Sequence, residues 1–314
     1  MEAVVAAAAA PPTPFGPGDD AAVLPAARGR RVVTSDALVE GVHFLRAHPP
    51  EALGWKAVAV NLSDVASMGA RPEGFVLSAA VPEDLPARWW RGFARGLAAC
   101  ARWGGAALVG GDTVRSPGPL MLTVTAWGAL PEGDAALLRH AGEPGDTLLV
   151  RGDVGRSGLG LRRWLEAASG RAGWAEDHPV EDAVLQAHLR PRPPLEAGPA
   201  ALALGARAGM DLSDGLAVDL PRLARASEVT LVVDLDRLPA DPLLAGVSAV
   251  ARASGGEDYA LVVLAPPERV AKLVAEGFAP IGEARQSRGG DPPGVLWRLG
   301  GRPVDPALTP FEHF

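Results

Sequence analysis

Aspartates beside glycine, serine or threonine recur five times in this 314-residue chain. Hard divalent cations take oxygen ligands, and magnesium combines one or two carboxylates with water and substrate phosphates. Any one segment alone is better explained by structure, because aspartate is common in turns and often caps a helix. Their recurrence suits a magnesium site that draws single aspartates from distant parts of the chain. The five segments are Gly18-Asp19-Asp20, Thr34-Ser35-Asp36, Asn61-Leu62-Ser63-Asp64, Gly110-Gly111-Asp112-Thr113 and Asp211-Leu212-Ser213-Asp214-Gly215.

Asp64 is the aspartate least easily explained as a turn or a cap. Apolar residues at helical spacing predict a helix over 55–68, with Gly69 at its end. Asp64 lies inside that helix, where aspartate is a poor helix former and has no cap to make. Asn61 shares its face of the helix. The position favours a ligand role for Asp64.

Common nucleotide-binding motifs are missing from the sequence. It has no Gly-x-x-x-x-Gly-Lys-Ser/Thr segment, which excludes a Walker-type NTPase, and it has no kinase Asp-Phe-Gly signature. The glycine-rich segment 152–160 precedes a predicted helix, so its backbone amides could meet a phosphate. Close packing of a helix on a strand explains this segment equally well.

Two further segments carry groups able to contact a ligand. His43, in Gly41-Val42-His43-Phe44, follows a predicted strand, and ligand contact and a satisfied buried histidine are equally supported. Ser254-Gly255-Gly256-Glu257-Asp258-Tyr259 places two acids before a predicted strand. Its glycines allow a ligand to approach the backbone closely, and the alternative is a tight turn with solvated acids.

Composition narrows the function classes. The net charge is −7 with no basic block, so nucleic-acid binding is not expected. An acidic protein that holds polyphosphate needs a bridging divalent cation. Cys100 is the single cysteine, which excludes disulfides and cysteine-rich metal sites and fits a reducing cytoplasm. No apolar stretch approaches the ~20 residues of a membrane span, and residues 3–10 are interpreted as a frayed terminus.

Alternating predicted helices and strands position these residues. In the first half, the strand over 31–36 delivers polar side chains at its C-terminal edge. A polar segment rich in glycine and proline near 139–145 predicts a domain junction. Further strands are predicted over 75–81, 106–109, 120–127, 147–150, 230–234 and 259–264, and helices over 89–103, 161–168, 197–207, 216–226 and 268–276.

Taken in order, the motifs resemble the thiamine-monophosphate kinase family of the aminoimidazole-ribonucleotide-synthetase-like superfamily. The superfamily shares several aspartate motifs, while Gly-Val-His-Phe, Ser-Gly-Gly-Glu-Asp-Tyr and the terminal Phe-Glu-His-Phe look specific to the thiamine branch. The matching segments are 18–22, 35–36, 41–44, 61–64, 68–70, 110–113, 211–216 and 254–259.

The resemblance implies ATP as co-substrate, several Mg²⁺ ions, and phosphorylation of thiamine monophosphate to thiamine diphosphate. It implies that the magnesium ligands are Asp20, Thr34, Ser35, Asp36, Asp64, Asp112, Asp211 and Asp214. It implies that Gly111, Asp112, Arg139 and Ser213 contact ATP, and that His43, Glu257 and Phe311 contact the thiamine phosphate. No general base is required, because the acceptor is itself a phosphate oxygen.

The resemblance also implies a two-domain α/β (α+β) architecture. An N-terminal domain over 1–138 binds ATP and magnesium and pairs through its sheet in a homodimer, and a C-terminal α/β domain over 139–314 completes the active site. The family usually carries a Gly-Glu-Phe-containing N-terminal helix, and this chain departs from it over residues 1–10. The rival interpretations are another ATP-using enzyme of the superfamily and a non-catalytic nucleotide-binding homologue.

Overall fold

The computed structural model describes residues 21–22, 24, 29–132, 135–170, 173–176, 180–287 and 292–304. The described chain folds around two sheets, one in each half. The first-half elements are the strands β1 (Arg31–Val39), β2 (Arg71–Pro82), β3 (Ala107–Ser116) and β4 (Met121–Ala129), with the helices α1 (Pro50–Ser67) and α2 (Ala87–Gly104).

The first sheet has the strand order β1-β4-β2-β3, and only β2 and β3 run parallel. Helices α1 and α2 cover one face of this sheet, and the apolar side chains between them form the first core. The two helices lie very close together where Gly96 of α2 meets Glu51 of α1. A Cβ at Gly96 would stand 1.7 Å from the Glu51 carbonyl oxygen, so only glycine allows this approach. The opposite face of the sheet has no covering helix in the described residues.

The second half contains a seven-stranded sheet in the order β11-β10-β7-β9-β5-β8-β6. Only β7 and β10 are parallel neighbours. Its strands are β5 (Thr147–Arg151), β6 (Ala208–Asp211), β7 (Val229–Asp234), β8 (Leu261–Ala265), β9 (Ala279–Gln286), β10 (Gly294–Leu299) and β11 (Arg302–Val304). Its helices are α3 (Arg156–Ala168), α4 (Ala183–Leu189), α5 (Ala197–Ala203), α6 (Leu216–Ala226), α7 (Ala249–Ser254) and α8 (Pro267–Ala275).

Helix α1 is shared by both halves, which explains why almost every residue in it is buried. One side packs on the first sheet and α2, and another side meets the second half. A Cβ at Gly198 of α5 would stand 1.7 Å from the Ala66 carbonyl oxygen, so α5 touches the end of α1 directly. Within the described ranges, no helix combines the length and the apolar character that crossing a bilayer requires.

Most predicted elements are present, with shifted ends. The helix predicted over 55–68 begins earlier, at Pro50, since proline is favoured in the first turn of a helix. The helix predicted over 197–207 ends at Ala203, because Gly205 takes a left-handed φ of 86° and the chain turns into β6. Strands β6, β9, β10 and β11 and helices α4 and α7 were not predicted, since their short segments carry weak periodicity.

Candidate active site

The acidic site begins where β1 runs beside the C-terminal half of α1. Thr34 Oγ1 donates a hydrogen bond to Asp64 Oδ2 over 2.7 Å, and the Asp36 backbone N–H donates to Asn61 Oδ1 over 3.0 Å. Asn61 and Asp64 therefore share the helix face that meets β1, as predicted. Because α1 ends at Ser67, Asp64 lies in its last turn, where the helix dipole disfavours a negative charge.

The second half supplies a third carboxylate to this place. Ser63 Oγ donates to Asp211 Oδ2 over 2.6 Å, and the Asp211 residue is only 4% exposed. Asp211 is the last residue of β6, so the strand delivers its side chain at its C-terminal end. We call Asp36, Asp64 and Asp211 the acidic junction, since they join strand β1, helix α1 and strand β6.

Burial and mutual repulsion hold the acidic junction in an electrostatically costly state. Burial, with repulsion from the neighbouring Asp64, raises the pKa of Asp36 to about 6. Burial, with repulsion from Asp64, raises the pKa of Asp211 to about 7. Burial also raises the pKa of Asp64, although the Thr34 hydroxyl and the positive charge of Arg139 oppose that shift. A cation at this junction would relieve the repulsion.

The donor set fits magnesium rather than a softer metal. Carboxylates and a hydroxyl are hard oxygen donors, and magnesium uses one or two carboxylates and completes its shell with water and phosphate. Within the described residues, no three histidine, cysteine or acidic side chains form a ready-made metal site. The acidic junction therefore suits a cation that arrives with, or is completed by, a phosphorylated ligand.

Arg139 places a positive charge beside this junction. Its guanidinium lowers the pKa of both Asp64 and Asp211, so it lies within electrostatic range of carboxylates from both halves. Its backbone is fixed, since Ser227 Oγ donates to the Arg139 carbonyl oxygen over 2.6 Å. The Arg139 side chain is exposed and can bind an anion beside the junction.

Two predicted magnesium ligands lie on the other face of the first sheet. Ser35 Oγ contacts Thr125 Oγ1 over 2.8 Å on the face without helices. Asp112 is in register with Ser78 of β2, whose neighbours Leu77 and Ala79 point into the core, so Asp112 also faces outward. The fold thus places these two residues on a different face from Thr34 and Asp64.

Gly111 must be glycine for a steric reason. A Cβ at this position would lie 1.9 Å from the Leu77 carbonyl oxygen on the neighbouring strand. The backbone of β3 is therefore closer to β2 than any side chain allows. Asp112 follows directly, and its Oδ1 accepts a hydrogen bond from the Thr113 backbone N–H over 2.7 Å.

The segment after β6 holds Ser213 and Asp214. The Ser213 carbonyl oxygen accepts a hydrogen bond from the Glu257 backbone N–H over 2.7 Å. The Asp214 carboxylate forms an ion pair with Arg222 over 2.5 Å, and Arg222 also contacts the buried Asp219 over 2.8 Å. A magnesium ion bound by Asp214 would have to replace that guanidinium.

Glu257 lies in a buried ion cluster that the sequence did not predict. Lys56 Nζ lies 2.7 Å from Glu257 Oε1, and His188 Nδ1 lies 3.1 Å from Glu257 Oε2. Although burial opposes ionisation, Lys56 and His188 hold the pKa of Glu257 well below its usual range. The one available signal was a lysine, one of only two in the chain, inside an otherwise apolar helix.

His43 closes the turn that follows β1. Its Nδ1 accepts a hydrogen bond from the Val39 backbone N–H over 3.1 Å, so that ring nitrogen carries no proton. The neighbouring Phe44 is completely buried. Asp20 and Phe311, the remaining predicted site residues, lie outside the described residues.

The glycine-rich segment 152–160 does not leave its helix terminus open to a phosphate. The Asp258 carboxylate accepts hydrogen bonds from the Gly155 and Ser157 backbone N–H groups, at 2.5 and 2.8 Å. Burial raises the pKa of Asp258 to about 7, while these two amides oppose the shift. The chain's own carboxylate occupies the start of α3, which favours the packing interpretation of these glycines.

Comparison with known families defines the class of protein. The model described as AIR synthase related protein, N-terminal domain, matches residues 18–130, and the corresponding C-terminal domain model matches 143–291. The first match contains the whole first sheet, and the second contains five of the seven strands of the second sheet, β5 to β9. The chain has the fold of a two-domain AIR synthase related protein.

Individual relatives identify the family within this class of protein. The chain is 37% identical to the thiamine-monophosphate kinase of Synechococcus elongatus, over 95% of this chain and 91% of the relative. It is 35% identical to that of Caulobacter vibrioides, over 94% and 84%. The chain belongs to the thiamine-monophosphate kinase family.

Solved structures agree with this assignment. Thiamine-monophosphate kinase from Stenotrophomonas maltophilia has a TM-score of 0.79 at 35% identity, covering 92% of both chains. AaThiL complexed with AMPPCP and TMP has a TM-score of 0.77 at 32% identity, covering 95% of this chain and 91% of that one. The hydrogenase maturation protein HypE of E. coli, at 23% identity and a TM-score of 0.74, shares the fold alone.

Proposed function

We propose that this chain transfers the γ-phosphoryl group of ATP to thiamine monophosphate, giving ADP and thiamine diphosphate. The acidic junction carries the proposal, because carboxylates from both halves meet at one place with pKa values raised by burial and repulsion. The names of the relatives support the substrate, and AaThiL was solved with AMPPCP, an ATP analogue, together with TMP.

The chemistry places unusual demands on the protein. The acceptor is a phosphate monoester whose second pKa is near ~6, so at neutral pH it is a dianion and already nucleophilic. No side chain has to remove a proton. The main obstacle is repulsion between this dianion and the polyphosphate of ATP, and the protein must hold both anions in line.

The residues of the acidic junction would hold Mg²⁺. Bound magnesium supplies bridging of the phosphate oxygens and offsets their charge. Asp36, Asp64 and Asp211 offer carboxylates, and Thr34 keeps Asp64 in place by its 2.7 Å hydrogen bond. Asp20, Ser35, Asp112 and Asp214 are proposed as further ligands from the family resemblance.

Other side chains bind and orient the two substrates. Arg139, within electrostatic range of the junction, clamps ATP phosphates, and Gly111, Asp112 and Ser213 are proposed as further ATP contacts. His43 and Phe311 are proposed to contact the thiamine phosphate, where an aromatic ring can stack on thiamine. Glu257 is proposed for the same substrate from the family resemblance.

We further propose a cytoplasmic homodimer in which residues 1–138 form the pairing domain and residues 139–314 complete the site. The uncovered face of the first sheet supports the dimer, since it exposes Val33 by 65% and Val114 by 52%. Apolar side chains exposed on one sheet face are typical of an interface. Pairing through this face would bring Ser35 and Asp112 to the boundary between subunits.

An assay of ADP release tests the function directly. Purified enzyme with ATP and Mg²⁺ is offered thiamine monophosphate, free thiamine or an aminoimidazole ribonucleotide precursor, and thiamine diphosphate is quantified in parallel. We expect ADP and thiamine diphosphate in equal amounts with thiamine monophosphate. Turnover with the aminoimidazole precursor instead, or Mg²⁺-dependent ATP binding with no turnover of any acceptor, would overturn the proposal.

A further inference from the structure

We propose that Lys56 is a positioning residue that, acting through Glu257, sets the place of the Asp211–Asp214 segment relative to the helix that carries Asp64. This inference rests on the proposed function, because it assigns Lys56 a part in assembling the magnesium site.

A buried ion cluster connects the two halves of the chain. Lys56 is completely buried and lies 2.7 Å from Glu257, which is 3% exposed and also contacts the buried His188. Lys56 is in α1 and Glu257 precedes β8, so the contact joins the first half of the chain to the second. Both Glu257 oxygens therefore have cationic or hydrogen-bonding partners from this chain.

The Glu257 segment is hydrogen-bonded to the segment that carries the predicted metal ligands Asp211 and Asp214. The Glu257 backbone N–H donates to the Ser213 carbonyl oxygen over 2.7 Å, and the Tyr259 N–H donates to the Leu212 carbonyl oxygen over 3.0 Å. Glu257 and Tyr259 take left-handed φ values of 64° and 53°. Such strain in non-glycine residues persists only where surrounding contacts hold it, and here those contacts are the ion cluster and the 211–214 segment.

Helix α1 contacts the second half of the chain at two positions, Lys56 and Ser63. Ser63 lies about two turns after Lys56 on the same helix, roughly 10 Å along its axis. Ser63 holds Asp211 by its side chain, while Lys56 holds the Glu257 segment that is hydrogen-bonded to residues 212 and 213. These two contacts restrict the orientation of the 211–214 segment relative to α1 more than either contact would alone. The helix that presents Asp64 thus also sets the position of Asp211.

A buried ion pair suits this role better than a role in stability. The desolvation of two buried charges offsets most of their attraction, so such pairs add little net stability, and their best-attested use is to fix register. Burial raises the pKa of Tyr259, and the carboxylates of Glu257 and of the acidic junction add to that shift, so Tyr259 lies within electrostatic range of both.

The test is a double-mutant cycle with Lys56→Met, Glu257→Gln and the double variant, and Lys272→Met on the exposed face of α8 is the matched control. The double variant leaves no unpaired buried charge and is expected to fold even if Lys56→Met alone does not. We expect kcat to fall at least about tenfold in each folded variant, with the half-saturating Mg²⁺ concentration raised by a similar factor. In Lys56→Met the KM for thiamine monophosphate should stay within about twofold, and the double variant should have a kcat and a magnesium dependence no worse than either single variant.

Two outcomes would overturn the inference. One is a Glu257→Gln variant that raises the KM for thiamine monophosphate while the magnesium dependence stays that of the wild type, since this indicates direct substrate contact. The other is a double variant with wild-type magnesium dependence. If wild-type enzyme does not turn over thiamine monophosphate, the proposed function fails separately. The magnesium–ATP concentration needed for half of the thermal stabilisation then replaces kcat as the readout, with the same expected direction.

Discussion

Ser63 Oγ donates a 2.6 Å hydrogen bond to Asp211 Oδ2, and this bond connects helix α1 of the first half to strand β6 of the second. It lies one residue from Asp64, so a single helix presents one acidic ligand and orients another. Burial raises the pKa of Asp211, and repulsion from Asp64 adds to that shift. The site is therefore built under electrostatic strain that a bound cation relieves.

Asp64→Asn should separate catalysis from stability. We expect kcat to fall at least about 100-fold, because a carboxylate that would hold magnesium is lost. The melting temperature without magnesium should stay equal or rise, since the change removes a desolvated charge from the last turn of α1. Steady-state kinetics and thermal unfolding measure the two effects. The control is Asp84→Asn, which changes an exposed aspartate paired with Arg46. Wild-type turnover by Asp64→Asn in limiting magnesium would contradict the metal assignment.

Ser63→Ala should destabilise the chain and reduce activity together. The change leaves the buried Asp211 carboxylate without its hydroxyl donor, at a cost of about 1–3 kcal/mol. Urea unfolding measures the loss. Ser67→Ala is the matched control, because the Ser67 hydroxyl donates to the Asp64 carbonyl oxygen within its own helix. Equal stability losses in both variants would show that Ser63 has no special role in joining the halves.

Stability should depend on pH through the acidic junction. The pKa values of Asp36 and Asp211 rise from 3.8 to about 6 and about 7 on folding. The folded chain therefore binds more protons than the unfolded chain between about pH 4 and pH 7, and these two groups lower stability as the pH rises through that window. This loss of stability should be largest without magnesium, because a bound magnesium ion stabilises the ionised carboxylates.

The measurement is thermal unfolding at pH 5.5 and pH 8 with and without Mg²⁺. We expect magnesium to raise the melting temperature by at least about 2 °C more at pH 8 than at pH 5.5. The variant Asp211→Asn should show a smaller difference, since one titrating group is gone. A magnesium effect that is the same at both pH values would be inconsistent with cation binding at the junction.

The uncovered sheet face should mediate dimer formation. Val114→Lys places a charge among exposed apolar side chains of that face and should shift the chain from dimer toward monomer. Light scattering coupled to size-exclusion chromatography gives the mass. Leu296→Lys, at a similarly exposed apolar position on β10 of the other sheet, is the control. A wild-type chain that is monomeric at working concentration would rule out this interface.

The sequence by itself determined the chemistry and most of the elements. Aspartates next to small polar residues indicated hard-cation binding, and helical spacing placed Asn61 and Asp64 on one face of α1, where both contact β1. The shared helix face is confirmed, because local periodicity is contained in consecutive residues. Hard-cation binding stays a prediction. The same reasoning assigned the family, which the relatives confirm.

Only the tertiary structure decided which charges meet. Lys56 finds Glu257 across some two hundred residues of chain, Asp258 caps helix α3, and Arg222 pairs with Asp214. Strand alternation places Ser35 and Thr34 on opposite faces of the first sheet, but only the tertiary structure showed which of these faces the helices cover. Periodicity is a local property, whereas ion pairs depend on where distant segments are brought by packing. That is why the sequence indicated the acids of the site and the fold determined their partners.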